Sequence, residues 1–278
     1  MQEQSLDKSK WELLLVDNNS DVPLSGLIDL GWHPGAAHLF EGNQGLTAAR
    51  LKGISVAKGK LLIFVDDDNI LRNDYLKTAC TIADSYPDVG AFGGSILPEF
   101  EVEPDPDLLQ HTGKLALRTV RENTISDSYE GRNQPYGAGL VIRKEIAMAY
   151  AENIRGSKRE LLDRAGESLG SAGDIDMAFT SIDMGYKNGL FQSLVLIHII
   201  PKERLTLEYL TQIRLGVNLS GMLLRFYRFN EKPPKPYPVA VRRANYLYRK
   251  MTMSKIEYSM YMASEKARLK FYDAITVQ

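Results

Sequence analysis

Residues 11–16 (WELLLV) form a short apolar run that stops at Asp17-Asn18-Asn19-Ser20, the pattern of a buried strand closed by turn residues. From Gly45 to Lys58, apolar residues recur at helical spacing (Leu46, Ala49, Ile54, Ala57), and Gly59 follows as a C-cap. A second apolar run at 61–65 (LLIFV) leads straight into Asp66-Asp67-Asp68. The pattern then predicts a helix over about 74–85, strands at 89–97, 136–142 (YGAGLVI) and 194–200 (LVLIHII), and a helix opening at Gly173-Asp174-Ile175-Asp176 and running to about Met184. Strands alternating with helices predict an α/β layer fold, with a mostly parallel sheet flanked by helices. Ligands in such sheets bind beyond the carboxyl ends of the strands, which is where both acidic clusters fall.

Residues 98–134 are polar and less regular, and read as a mobile connection over that site. From Leu205 the pattern is helical, interrupted at 231–238 by four prolines (Pro233, Pro234, Pro236, Pro238) that mark a linker. The expected organisation is therefore a domain over 1–204 and a helical extension over 205–278. The two parts differ in charge. The extension holds 13 Lys and Arg against 5 Asp and Glu, the rest 21 against 30, so two surfaces with different partners are expected.

Composition narrows the picture further. With 44% hydrophobic and 25% charged residues, the 278-residue chain can bury a sizeable core. Cys80 is the only cysteine, set among apolar neighbours on a predicted helix, which excludes an internal disulfide framework and a thiolate zinc cluster. No apolar run approaches the roughly 18 residues of a membrane span, and residues 1–10 are too polar for a signal peptide. These features fit a cytoplasmic protein. Between Arg242 and Lys270, basic residues interleave with Tyr246, Tyr248, Met251, Met253, Ile256, Tyr258, Met260, Tyr261 and Met262. This stretch is a candidate for peripheral contact with an anionic membrane; packing onto the rest of the chain and dimerisation are equally open readings. No nucleic-acid recognition motif is present, and the body is acidic.

Asp66, Asp67 and Asp68 are the sharpest chemical signal. Carboxylates crowded at a strand end repel by about 4 kcal/mol per close pair at an effective dielectric near 20. Oxygen ligands of this kind suit Mg2+ or Mn2+, ions that also bind diphosphates. The competing reading is a solvated acidic turn. Asp174 and Asp176 sit at a helix start, where the helix dipole favours ionised carboxylates. Asp174 is thus a candidate general base, or simply an N-cap. His198, inside an apolar run, is either a core histidine or a metal ligand.

These pieces, in this order, resemble family 2 glycosyltransferases of the GT-A fold. The matching segments are VDNNS (16–20), NQGLTAAR (43–50) with Gly53 and Ala57-Lys58-Gly59, and FVDDDN (64–69). They continue with GAGLVIR (137–143), SAGDIDMA (171–178) with Gly185-Tyr186, and HIIPKERLT (198–206). They cover most of residues 11–210. The resemblance implies an inverting, metal-dependent transferase, moving a sugar from a nucleotide-diphosphate donor such as a UDP-sugar to a saccharide or lipid-linked hydroxyl acceptor. Cell-surface polysaccharide or glycolipid synthesis would be its setting. It implies that Asp17, helped by Arg50, binds the base, that Asp66 and Asp67 face the ribose and diphosphate, and that Asp68 ligates Mg2+ or Mn2+. His198 becomes a second metal ligand. Asp174 would deprotonate the acceptor, with Asp176 in support, and Gly137 and Gly139 would let backbone approach the substrates.

The chain departs from the family pattern at three places. Gly173 stands where an acidic residue usually precedes the base, and Leu51 where an asparagine follows the arginine. Residues 1–10 contain neither the apolar strand nor the helix with which the family opens, so a strand between those at 11–16 and 61–65 is expected to be absent. Asp17 would then lack part of its base pocket. Two other readings follow: a degenerate GT-A module that binds without catalysing, and a haloacid-dehalogenase-like phosphatase built on Asp66-Asp67-Asp68-Asn69-Ile70.

Overall fold

The computed structural model describes residues 1–164 and 169–276. Strands β1 (Leu13–Asp17) and β2 (Ala36–Phe40) form a parallel two-stranded ribbon. The other strands are β3 (Leu61–Ile63), β4 (Asn69–Leu71), β5 (Val89–Phe100), β6 (Thr124–Ser126), β7 (Val141–Arg143) and β8 (Lys187–Ile200). They build a six-stranded sheet in the order β3-β7-β5-β8-β4, with β6 also on β8. Within it only β5 and β8 run parallel, while β7, β4 and β6 lie antiparallel to their neighbours. The α/β layering expected from the sequence is present, and its main sheet is mixed rather than mostly parallel. Alternation of strands and helices fixes the layers. It does not fix the direction of three-residue strands such as β4, which follows β3 through a turn closed by Asn69 N–H on the Asp66 carbonyl at 3.1 Å.

Helices cover both faces. On α2 (Tyr75–Ser85), Tyr75, Leu76, Ala79, Ile82 and Ala83 recur at three- and four-residue spacing and pack on Val89, Phe92 and Phe191. On the other face, α1 (Leu46–Val56), α4 (Lys144–Ile154) and α5 (Gly173–Asp183) bury Ile54, Ile146, Tyr150 and Met177 against Leu140 and Ile142. Residues 98–134, expected to be mobile, carry the short helix α3 (Pro106–Leu109) and strand β6 and are stapled down through Gln134. Gln134 is fully buried. Its side chain accepts from Asn188 Nδ2 at 2.5 Å and donates to the Ser128 carbonyl at 2.6 Å.

The C-terminal part is helical as expected: α6 (Leu207–Phe229), α7 (Val239–Thr252) and α8 (Lys255–Thr276). Thr206 caps α6 by accepting from Tyr209 N–H, and the helix ends at Asn230 in the left-handed region. Residues 230–238, between α6 and α7, have no regular structure. Leu210 and Ile213 of α6 and Met260 of α8 share a core with Leu108, Leu115 and Ile200.

Strands β1 and β3 lie in separate sheets. Among the described residues β1 is paired only with β2, and β3 only with β7. Accordingly, Leu13, Leu14, Leu15 and Val16 are half-buried, not buried as their apolar run predicts. The start of β1 is held near the entry to β3 by Glu12, whose Oε1 accepts from Lys58 and Gly59 N–H at 2.5 and 2.9 Å.

Candidate active site

The turn after β3 places Asp66, Asp67 and Asp68 at one edge of the sheet. Antiparallel pairing sets Asn69 of β4 opposite His198 of β8, and Ile199 N–H donates to the Asp68 carbonyl at 2.9 Å. That register brings Asp68 Oδ2 to 3.2 Å from His198 Nε2. Arg204, in the 3-10 turn Lys202–Leu205 after β8, places Nη1 2.7 Å from the same oxygen. Burial would push the Asp68 carboxyl upward, but His198 and Arg204 bring it down to about 2. Asp67 is exposed.

Asp68 and His198 present an oxygen and an imidazole nitrogen side by side, a donor pair that a divalent cation could take if Arg204 gave up its place on Asp68. An oxygen and an imidazole nitrogen 3.2 Å apart match adjacent corners of an octahedron with bonds of about 2.0–2.1 Å. His198 Nδ1 is buried without a hydrogen-bond partner. No group of three or more His, Cys, Asp or Glu among the described residues is placed to hold an ion. An ion held by these two side chains would need its remaining ligands from substrate or water.

A second cluster lies beside the first, around Arg50 of α1, which is buried. Its Nη1 donates to Asp163 Oδ2 at 3.0 Å, and Thr47 Oγ1 reaches the same oxygen at 3.4 Å. Burial would lower the guanidinium pKa, whereas Asp163, Asp66 and Asp174 hold it up. Burial in turn raises the carboxyls of Asp66 and Asp163 despite the opposing pull of Arg50. Asp174, at the start of α5, accepts from Gly137 N–H at 2.7 Å through Oδ2 and from Ile175 N–H at 2.8 Å through Oδ1. A side chain on Gly137 would collide with Arg50 and press on Asp174, so glycine is required there for close packing of the site. Gly139 serves the core. It sits at φ 73° in contact with Tyr75, whose hydroxyl donates to its carbonyl at 2.6 Å.

Asp163 has no counterpart in the sequence reading. A Cβ on Gly173 would lie 2.5 Å from Asp163 Oδ2, so the Asp163 carboxylate fills the space into which a residue at 173 would project. The missing acidic residue before the candidate base is thus matched in space by one ten positions earlier. No local signal marks it.

Asp174 and Asp176, read together from the sequence, point apart. Two positions on a helix differ by about 200°, so they do not share a face. Asp176 is buried and accepts from Arg159 Nη1 at 2.8 Å and from Arg228 Nε of α6. Arg228 also donates to Asp183 at 2.6 Å and to the Asp176 carbonyl at 2.9 Å. Asp176 therefore ties α6 to α5. Replacing Arg228 with Met is expected to lower stability by about 3 kcal/mol, because a buried carboxylate loses one of two cations. Urea unfolding of the variant checks this; an unchanged midpoint would remove the brace.

Asp17 ends β1 in the smaller sheet. Both its oxygens accept backbone N–H, from Ser20 and from Leu24, each at 2.9 Å, and these bonds lower its pKa. Asn18 links this loop to α1, accepting from Gly45 N–H at 2.7 Å. The structure pairs Arg50 with Asp163, and no contact between Arg50 and Asp17 accompanies it.

A family model described as Glycosyl transferase family 2 matches residues 1–147, the stretch carrying Asp17, Arg50, Asp66, Asp67 and Asp68. The chain belongs to glycosyl transferase family 2. That membership displaces the phosphatase reading of residues 66–70. A glucosyl-dolichyl phosphate glucuronosyltransferase from Haloferax volcanii is 29% identical over 109 residues, 39% of this chain and 34% of the relative. The chain thus spans about a third of the length of that relative. The structure of S. aureus TarS 1-349 superposes with a TM-score of 0.52 at 11% identity, covering 100% of this chain and 86% of that one. GalNAc-T7, crystallised with UDP, GalNAc and Mn2+, gives 0.50 at 15% identity, covering 93% of this chain and 51% of that one. At these identities the likeness is one of fold, and the fold is GT-A. No helix among the described residues is long and apolar enough to cross a membrane.

Proposed function

We propose that this family 2 chain is an inverting glycosyltransferase that moves a sugar from a nucleotide diphosphate, a UDP-sugar, to a hydroxyl acceptor. The observation that carries the reading is the convergence of Asp66 and Asp174 on buried Arg50, beside the Asp68–His198 pair at the same sheet edge. Asp68 and His198 would hold Mg2+ or Mn2+, which supplies positive charge to the leaving diphosphate. Arg204, giving up its place on Asp68, would offer its guanidinium to phosphate oxygens. Asp17 and the loop it closes would receive the base, and Asp66 and Asp67 the ribose and diphosphate. Asp174, its carboxylate fixed by two backbone N–H groups, would take the acceptor proton as the hydroxyl attacks the anomeric carbon. GalNAc-T7, solved with UDP and Mn2+, supports the donor class, and the glucuronosyltransferase relative, named for a dolichyl-linked substrate, supports a lipid-linked acceptor.

Calorimetric titration of UDP with and without Mn2+ tests this. Binding is expected to need the ion and to be lost in Asp68→Ala, whose circular dichroism should match wild type. Unchanged affinity in that variant would remove the metal–diphosphate assignment. The alternative of a non-catalytic GT-A module draws on the separation of β1 from the main sheet, in which β3 is an edge strand among the described residues; it requires that wild type show no metal-dependent UDP binding.

A further inference from the structure

Helix α7 carries no buried residue, unlike α6 and α8 on either side of it. At about 100° per residue, Ala240, Val241, Ala244, Leu247, Tyr248 and Met251 fall within one sector of about 120°. All six are exposed, Leu247 by 63%, Tyr248 by 67% and Met251 by 78%. The helix cannot turn this stripe inward, because its other side is already engaged with α8. Tyr246 meets Tyr261 edge-on at 6.2 Å between ring centroids, and Arg249 lies 4.4 Å over the same ring. An apolar stripe held outward marks an interaction site.

Its charge identifies the occupant. The helix holds Arg242, Arg243, Arg249 and Lys250 and no acidic residue. Exposed Arg243 and Lys250 flank the stripe, and exposed Lys235 and Lys255 lie just outside the two ends of the helix. Tyr237 and Val239, 59% and 53% exposed, extend the apolar surface toward the linker. Packing two copies of this helix stripe to stripe would bring together four cations, Arg243 and Lys250 of each, with no acidic residue on either helix, whereas an anionic bilayer neutralises them and accepts the apolar side chains. Tyrosines at the edge of the stripe suit the headgroup boundary. The rest of the chain, acidic before residue 205, is repelled by the same surface, which orients the protein with α7 toward it. We infer that α7 is a membrane-surface helix that seats this stripe in the interface of an anionic lipid bilayer. The sequence pattern of 242–270 spread this property over two helices. The structure confines it to α7, since Met260 and Ala263 of α8 are buried.

Co-sedimentation of the chain with phosphatidylcholine vesicles, with or without roughly one-third phosphatidylglycerol, tests the inference without reference to catalysis. Binding is expected to the anionic vesicles and to weaken with salt. Leu247→Glu with Met251→Glu should reduce it by about tenfold or more, with unchanged thermal unfolding because both side chains are exposed. Arg243→Gln with Lys250→Gln should remove the preference for anionic lipid. Absence of wild-type binding, or equal binding by the Glu pair, overturns the inference. So does a concentration-dependent dimer in size-exclusion chromatography that the Glu pair abolishes, which would make the stripe a contact between copies.

Discussion

Asp174→Asn is expected to lower sugar transfer by about 10²–10⁴ while leaving metal-dependent UDP binding close to wild type. An amide cannot take a proton from the acceptor at neutral pH, and neither other carboxylate of α5 can replace it, because Asp176 faces α6 and is held by Arg159 and Arg228, and Asp183, at the far end of the helix, is also paired with Arg228. The side chain should stay in place. Asn retains one acceptor oxygen for Gly137 N–H, which now bonds Asp174 at 2.7 Å, although its amino group must turn from Ile175 N–H. The measurement is release of UDP from candidate UDP-sugars with and without acceptor, alongside UDP titration and a melting curve. Transfer within about threefold of wild type would remove Asp174 as the base. Loss of UDP binding together with transfer would instead place it in the donor site.

The layers of the fold were legible because each rests on a local pattern. The apolar run at 61–65 marks β3, the i, i+3, i+4 spacing after Asp74 marks α2, and four prolines mark the break before α7. Strand direction was not legible, since β4, β6 and β7 are three residues long and their polarity depends on partners far along the chain. The site divides in the same way. Asp66, Asp68, Asp174 and His198 follow or lie within apolar strands or open a helix, so sequence places them at the sheet edge. Their fixing partners come from distant segments: Asp163 lies 113 positions from Arg50, and Arg204 lies 136 from Asp68. The one misleading grouping, Asp174 with Asp176, could have been resolved from sequence, because a two-residue spacing on a helix sends side chains to different faces. Read that way, Asp176 already needed a basic partner from another element, and Arg228 of α6 supplies it.

Arg50→Met is expected to cost about 3–5 kcal/mol of stability at neutral pH, the cost of stranding a buried charge by removing its partner. Arg50 and Asp163 are both nearly fully buried and 3.0 Å apart, and Asp66 and Asp174 share the same guanidinium's field. The direction of the pH dependence follows from the carboxyls. Asp66 and Asp163 have pKa values raised by burial even with Arg50 present, and removing the arginine raises them further. A carboxyl whose folded-state pKa exceeds its unfolded one, about 3.9, imposes no penalty below that unfolded value. Its penalty grows as pH rises and is complete above the folded pKa. The deficit of Arg50→Met should therefore be largest near pH 8 and shrink steadily as pH falls toward 4, where both carboxyls are protonated in the variant. Urea unfolding of wild type and variant across that range reads it directly. Adding Asp163→Asn to Arg50→Met should return part of the loss at pH 8 and little at pH 4, since the amide carries no charge to strand. A deficit that stays constant with pH would mean that Arg50 supports this site by packing on Phe64, whose ring lies 5.9 Å from its guanidinium, and not by neutralising the carboxylates around it.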